Sequence, residues 1–162
     1  MCANHPLRPL DVCATIRLQV ERVAMRSKGL RRGRDPKYTD RTLDQIAASY
    51  EWPGERLFVS IDSRDSDDDM LLHRAAFAGR VEDVWDLLRL GSDINAKGDL
   101  GYTPLHYAAL EGNRSVTIAL LAAGASTELR NDGGQLPSET ADVSGYHELA
   151  SSIREHQKWK GG

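Results

Sequence analysis

The residues best suited to chemistry are a few histidines and one dense acidic run. His73 and His106 lie 33 residues apart, while His5, His147 and His156 have no cysteine or carboxylate at metal-ligand spacing. In "DSRDSDDDM" (62–70), Asp65, Asp67 and Asp69 alternate as in a calcium loop. The sixth position of such a loop would be Met70 instead of glycine, and the twelfth Ala76 instead of glutamate, so the motif fails. Serine, histidine and aspartate all occur, but no pattern groups them as a catalytic triad. Phosphate-binding glycine loops, G-x-S-x-G, H-E-x-x-H and C-x-x-C are missing from the sequence. An enzyme is therefore not expected, and neither a metal nor another cofactor is implied.

Composition narrows the classes further. The chain has 162 residues, 40% hydrophobic and 28% charged, with net charge −3 and two cysteines, Cys2 and Cys13. That is ordinary for one globular domain. No apolar run approaches the ~20 residues of a membrane span. The first 23 residues do not read as a secretory signal. The few cysteines fit a reducing compartment, so a cytoplasmic location is expected. Charge is uneven: Met1 to Ser66 carries 12 Lys and Arg against 9 Asp and Glu, and the remainder 9 against 15. Three arginines in one loop (Arg31, Arg32, Arg34) are weak support for nucleic-acid binding, which needs a broad basic face.

The elements that hold these residues repeat. Shifting "TPLHYAALEGN" (103–113) back by 33 places it on "MLLHRAAFAGR" (70–80): Leu105-His106 falls on Leu72-His73, Ala108-Ala109 on Ala75-Ala76, and Gly112 on Gly79. Leu120-Leu121 falls on Leu87-Leu88 and Gly124 on Gly91. A forward shift reaches "LPSETADVSGY" (136–146), which keeps Pro137, Ala141 and Gly145. A fixed period of this length is the mark of a repeat solenoid. Thr103 can cap a helix whose first position is Pro104. Gly112 ends that helix, and "SVTIALLAAG" supplies a second with Val116, Ile118, Leu120 and Leu121 on its apolar face. "DINAKGDLGY" and "STELRNDGGQ" carry glycine turns.

Thr103-Pro104-Leu105-His106-Tyr107-Ala108-Ala109, with "LLRLGSDINAK" (87–97) and "LLAAGASTELR" (120–130), resembles the ankyrin repeat. The likeness covers residues 61–156 and extends to small stand-alone bacterial members of the family. It implies an all-α repeat solenoid of helix-turn-helix units with β-hairpin tips, divided as 61–93, 94–126 and 127–156. It also implies that His73 and His106 hydrogen-bond near the hairpins and order the turns. Stacked units share one core, so end units must be modified. In the third copy, Ser138-Glu139 and Asp142 replace Leu-His and an alanine. The first lacks Thr-Pro, which predicts a poorly capped entry at Met70-Leu71. Ahead of the repeats, residues 1–38 read as a basic helix and loop (apolar Val12, Ile16, Val20 and Val23). Residues 39–60 read as a capping helix and linker, with Leu43, Ile46, Ala47 and Tyr50 on one face. Residues 157–162 read as a flexible tail.

Members of this family usually dock partners on the hairpin tips and the exposed side of the first helices. By register, that surface comprises Arg64, Ser66, Asp67, Asp69 and Phe77 of the first copy. Lys97, Asp99, Leu100, Tyr102, Leu110 and Glu111 come from the second, and Arg130, Asp132, Gln135 and Val143 from the third. The expected role is a non-enzymatic adaptor or inhibitor that binds one protein, with no nucleic acid or membrane involved. Its sharper version is a toxin-immunity protein whose acidic finger, Asp67 to Asp69, occupies a basic partner. The alternative is a two-sided assembly or regulatory subunit whose basic N-terminal helices form a second contact surface. Oligomeric state is open.

Overall fold

A computed structural model describes residues 41–50 and 58–160. The helix expected over 12–23, the basic loop at 31–34 and both cysteines lie outside the described residues. A short helix α1 (Leu43–Ala47) precedes three helix pairs: α2 (Leu71–Phe77) with α3 (Val81–Leu90), α4 (Pro104–Leu110) with α5 (Arg114–Ala123), and α6 (Pro137–Val143) with α7 (His147–Lys160). The first helices begin at 71, 104 and 137 and the second at 81, 114 and 147, so the 33-residue period is kept to the residue.

Each first helix starts the same way. The N-cap residues Met70, Thr103 and Leu136 are extended. The side chain three positions on accepts the N-cap N–H: His73 Nδ1 from Met70 (3.0 Å), His106 Nδ1 from Thr103 (3.2 Å) and Glu139 Oε2 from Leu136 (2.7 Å). This is half of a capping box, in which imidazole does the work of Glu or Gln. The entry at Met70 is thus capped despite lacking Thr-Pro, because His73 supplies the acceptor. Each imidazole then donates its Nε2–H to the next repeat, His73 to Ala96 O (2.9 Å) and His106 to Gln135 O (3.0 Å). Gly112 follows α4 at φ 68°, and a Cβ there would lie 2.4 Å from the Tyr146 ring. Both the left-handed backbone and the close ring require glycine.

The core runs the length of the stack. Leu72, Ala75, Ala76, Val84, Leu87, Leu105, Ala108, Ala109, Val116, Leu120, Ala141, Leu149 and Ile153 belong to one buried cluster. The alanine pairs bring neighbouring first helices close, and each buried leucine or isoleucine stabilises by roughly 1.5–3 kcal/mol. Ile118, assigned from sequence to this face, is half-buried and lies to one side of it.

The two ends differ. Ile46, Ala47 and Phe58 join the core ahead of the first repeat. There, α3 carries Asp83 and Asp86 where α5 has Val116 and Ala119. Both carboxylates are buried, and Arg41 pairs with each, its Nε 3.1 Å from Asp86 Oδ2. Tyr50 donates its hydroxyl to Asp83 Oδ2 (2.7 Å), and the Arg80 guanidinium lies 5.4 Å from the Tyr50 ring centre. At the other end Asp142 pairs with His147 and Arg154, whose bonds, His147 first, hold its carboxyl below the usual range. Helix α7 runs to Lys160, beyond the start of the tail expected at 157.

The tips are tight turns. Among the described residues the strand pairing is a single bridge, Arg64 with Met70. Each turn is closed by one equivalent bond: Asp65 N–H to Asp69 O (3.0 Å), Gly98 N–H to Tyr102 O (2.8 Å) and Asn131 N–H to Gln135 O (3.0 Å).

Candidate protein interface

Repetition sets one apolar row. The last residues of the three first helices, Phe77, Leu110 and Val143, are 33 apart and so recur at one place on successive units. Phe77 is 46% exposed, Val143 76%, and Leu110 is half-buried. Leu100, at the second tip, is 63% exposed and left-handed at φ 50°. An L-residue in that region costs about 1–2 kcal/mol, and nothing in the fold recovers it by burial. Half-buried Tyr102 connects tip to row. Its ring centre is 5.4 Å from Tyr107, and Tyr107 stands edge-on to Phe77 at 6.1 Å and to His73 at 5.8 Å.

The acidic run is not a free finger. Asp65 is nearly enclosed. Its Oδ1 accepts the N–H groups of Asp67 (2.9 Å) and Asp69 (3.0 Å), and its Oδ2 accepts Arg74 Nε (2.6 Å). Asp69, expected at the exposed tip, is 4% exposed. Its oxygens accept the Asp99 N–H (3.2 Å) and the Tyr107 hydroxyl (2.8 Å). Asp67 and Asp68 do reach solvent, paired with Arg74 (2.9 Å) and Arg64 (3.2 Å). Arg74 keeps its charge firmly: burial opposes it, but bonding and attraction to Asp65 and Asp67 win and raise its pKa. Burial, then the bond to Asp69, pushes the Tyr107 hydroxyl well above the ordinary tyrosine range. The mutual repulsion expected of this run is met by internal cations and donors.

The basic tip residues form a ladder. Arg64 Nη1 donates to Lys97 O (2.7 Å), Lys97 Nζ to Arg130 O (2.9 Å), and Arg130 to Gly134 O and Glu139 Oε2 (3.2 Å). Arg64, Lys97 and Arg130 are exposed yet engaged, the first two strapping their tips to the next repeat and Arg130 closing on its own. Ser66, Asp99, Glu111 and Asp132 are exposed, and Gln135 is half-buried with its carbonyl held by His106. The Asp132 N–H donates to Leu100 O (3.0 Å). Sequence reasoning missed Tyr107, Arg74 and Gly98. The signal for Tyr107 was its register with Arg74, which marks it as standing at the margin of the core, against which it packs. Among the described residues no three His, Cys, Asp or Glu side chains gather as a metal site. No helix there is long and apolar enough to cross a membrane.

Helix pairs in strict register, strapped tips and a solvent-facing apolar row define a repeat solenoid of the protein-binding class. The profile of the family described as ankyrin repeats matches residues 54–131 and 72–157, in three copies, and the chain belongs to that family. It is 38% identical over 83 residues to human protein phosphatase 1 regulatory subunit 27, covering 51% of this chain and 53% of that one. It is 36% identical over 87 residues to human SH3 and multiple ankyrin repeat domains protein 2, covering 54% and 5%. It is 43% identical over 84 residues to human mitochondrial disaggregase, covering 52% and 12%. The chain thus spans about half the length of the phosphatase subunit and far less of the other two. These relatives are eukaryotic, so they lend no support to the expected likeness to small bacterial ankyrin proteins.

Proposed function

We propose that the chain is a non-enzymatic adaptor or inhibitor whose protein partner seats on the row Phe77, Leu110 and Val143 and on the second tip at Leu100 and Tyr102. One observation carries this reading: large apolar side chains recur in register on a surface that the fold leaves in water. Apolar anchors within a polar rim suit an interface, and a few of them dominate binding. Asp67, Asp68, Asp99 and Asp132 supply the rim, which favours basic groups around the partner's apolar patch. Asp65 and Asp69 become scaffold elements in this reading, and a toxin-immunity role would rest on the exposed Asp67 and Asp68. A regulatory subunit, as in the name of one relative, fits the surface equally well. The low cysteine content supports work in a reducing compartment such as the cytoplasm.

Affinity capture from native lysate tests the reading, using the wild-type chain beside a Phe77→Ser/Leu100→Ser/Val143→Ser variant of matched melting temperature. The expected result is a protein retained by the wild type at 1 M salt, where the screening length falls to ~3 Å, and lost from the variant. A partner held equally by both chains would overturn it.

A further inference from the structure

Asp69 is a buried carboxylate that bonds to no residue of its own tip's turn through its side chain. One oxygen takes the Asp99 N–H and the other the Tyr107 hydroxyl, 30 and 38 residues away. Gly98 makes this reach feasible: a Cβ at 98 would come 2.0 Å from Asp69 Oδ1. The register equivalents of Gly98 are Asp65 and Asn131, and those of Asp69 are Tyr102 and Gln135, so the pairing is built only between the first and second repeats. Its two arms end on the two halves of the apolar surface. Asp99 immediately precedes the left-handed Leu100, and Tyr107 is the ring that meets both Phe77 and Tyr102.

We infer that Asp69 is the positioning residue of this interface, holding the Leu100 tip and the Tyr107 ring in fixed relation without touching the partner itself. The inference rests on the surface proposed above. A buried carboxylate bonded at both oxygens suits this role. Its bonds are charge-assisted, and abandoning either would leave a desolvated charge. The two anchors are therefore preordered, and binding spends little freedom on ordering them.

Amide exchange and affinity for a defined probe test this together in Asp69→Asn and Tyr107→Phe. The probe is a synthetic binding domain selected against the wild-type chain and shown to require Leu100. In Asp69→Asn the Asp99 amide, the one that Asp69 accepts, should exchange at least about tenfold faster once global stability is normalised, while the Asn131 amide is unchanged. Probe affinity should fall by about tenfold, the scale of one charge-assisted bond. Tyr107→Phe should keep the Asp99 amide protected and weaken the probe by a smaller factor. A protected Asp99 amide in Asp69→Asn, or probe affinity within about twofold of wild type, would overturn the assignment. Should Asp69→Asn not fold, a Tyr107→Phe chain that binds the probe as tightly as wild type does so instead. The lysate capture does not enter these readouts, so a failed partner surface and a failed positioning role are told apart.

Discussion

Acidification should dissolve the stack from its histidines. His73 and His106 are 1% and 0% exposed. Each uses Nδ1 as an acceptor and Nε2–H as a donor, so both are neutral in the fold. A proton on Nδ1 would face the N–H of Met70 or Thr103, donor against donor, and at His106 the Thr103 hydroxyl at 2.8 Å would have to turn from donor to acceptor. Burial, the leading cause, lowers both pKa values. Arg64 adds to this at His73, where the Ala96 carbonyl and Asp69 oppose it, and Lys97 adds to it at His106, where the Gln135 carbonyl opposes it. A depressed histidine contributes stability above its unfolded value of 6.5, lost as pH falls below that value toward the folded one. The slope is up to ~1.4 kcal/mol per pH unit for each imidazole. At pH 5.0 the ceiling is ~2 kcal/mol each and ~4 kcal/mol for the pair, reached if neither protonates while folded. That is much of the 5–15 kcal/mol typical of a domain. Urea unfolding at pH 7.5, 6.5 and 5.0 reads the effect, with His73→Gln/His106→Gln as control. Glutamine keeps the N-cap acceptor, as Gln45 does for Thr42 in α1 (3.0 Å). The wild-type midpoint should fall between pH 6.5 and 5.0 and the variant's should hardly move. Equal slopes in that window would refute the reasoning.

Other substitutions probe other links. Gly98→Ala should cost about 3 kcal/mol by urea unfolding, since its Cβ displaces a buried carboxylate from its partners. Adding Asp69→Ala should recover part of that loss, and strict additivity would show that the contact does not matter. Arg41→Ala should destabilise by about 2–4 kcal/mol, because Asp83 and Asp86 stay buried with only the more exposed Arg80 and Arg89 to answer them. Proteolysis near residue 50 should rise in the same variant. Leu100→Gly should raise stability by about 1 kcal/mol by relieving the left-handed leucine, while weakening capture of the partner. A loss of stability there would mean that Leu100 packs inside the molecule.

The period was legible because it is written in residue types with narrow jobs: Pro at a helix start, Ala where helices touch, Gly where φ turns positive. These act locally, so a shift by 33 finds them. Family likeness put His73 in a bond near its hairpin, as it makes to Ala96 O, but its capping of Met70 was not legible, since spacing alone does not say what an imidazole touches. The acidic run misled for a physical reason. Local sequence shows Asp67, Asp68 and Asp69 as adjacent charges, but the donors that absorb Asp69 come from residues 99 and 107. Asp83 and Asp86 did carry a signal, two acids aligned with Val116 and Ala119, and the missing step was to ask which cation lay opposite. The expected β-hairpins reduce to tight turns because the closing bonds and side-chain straps leave little ladder to form.

The Asp83–Arg41–Asp86 clasp also bears on how such an array can lengthen. A unit copied from the second repeat brings Val116 and Ala119, which any neighbour can cover, together with Lys97 to continue the straps. A unit copied from the first would bring Arg80 and Arg89 with its two buried carboxylates but leave behind Arg41, the cation that reaches both. Gene duplication within this chain is thus free to draw on its middle but not on its leading unit, and engineered extensions should take residues 94–126 as the cassette.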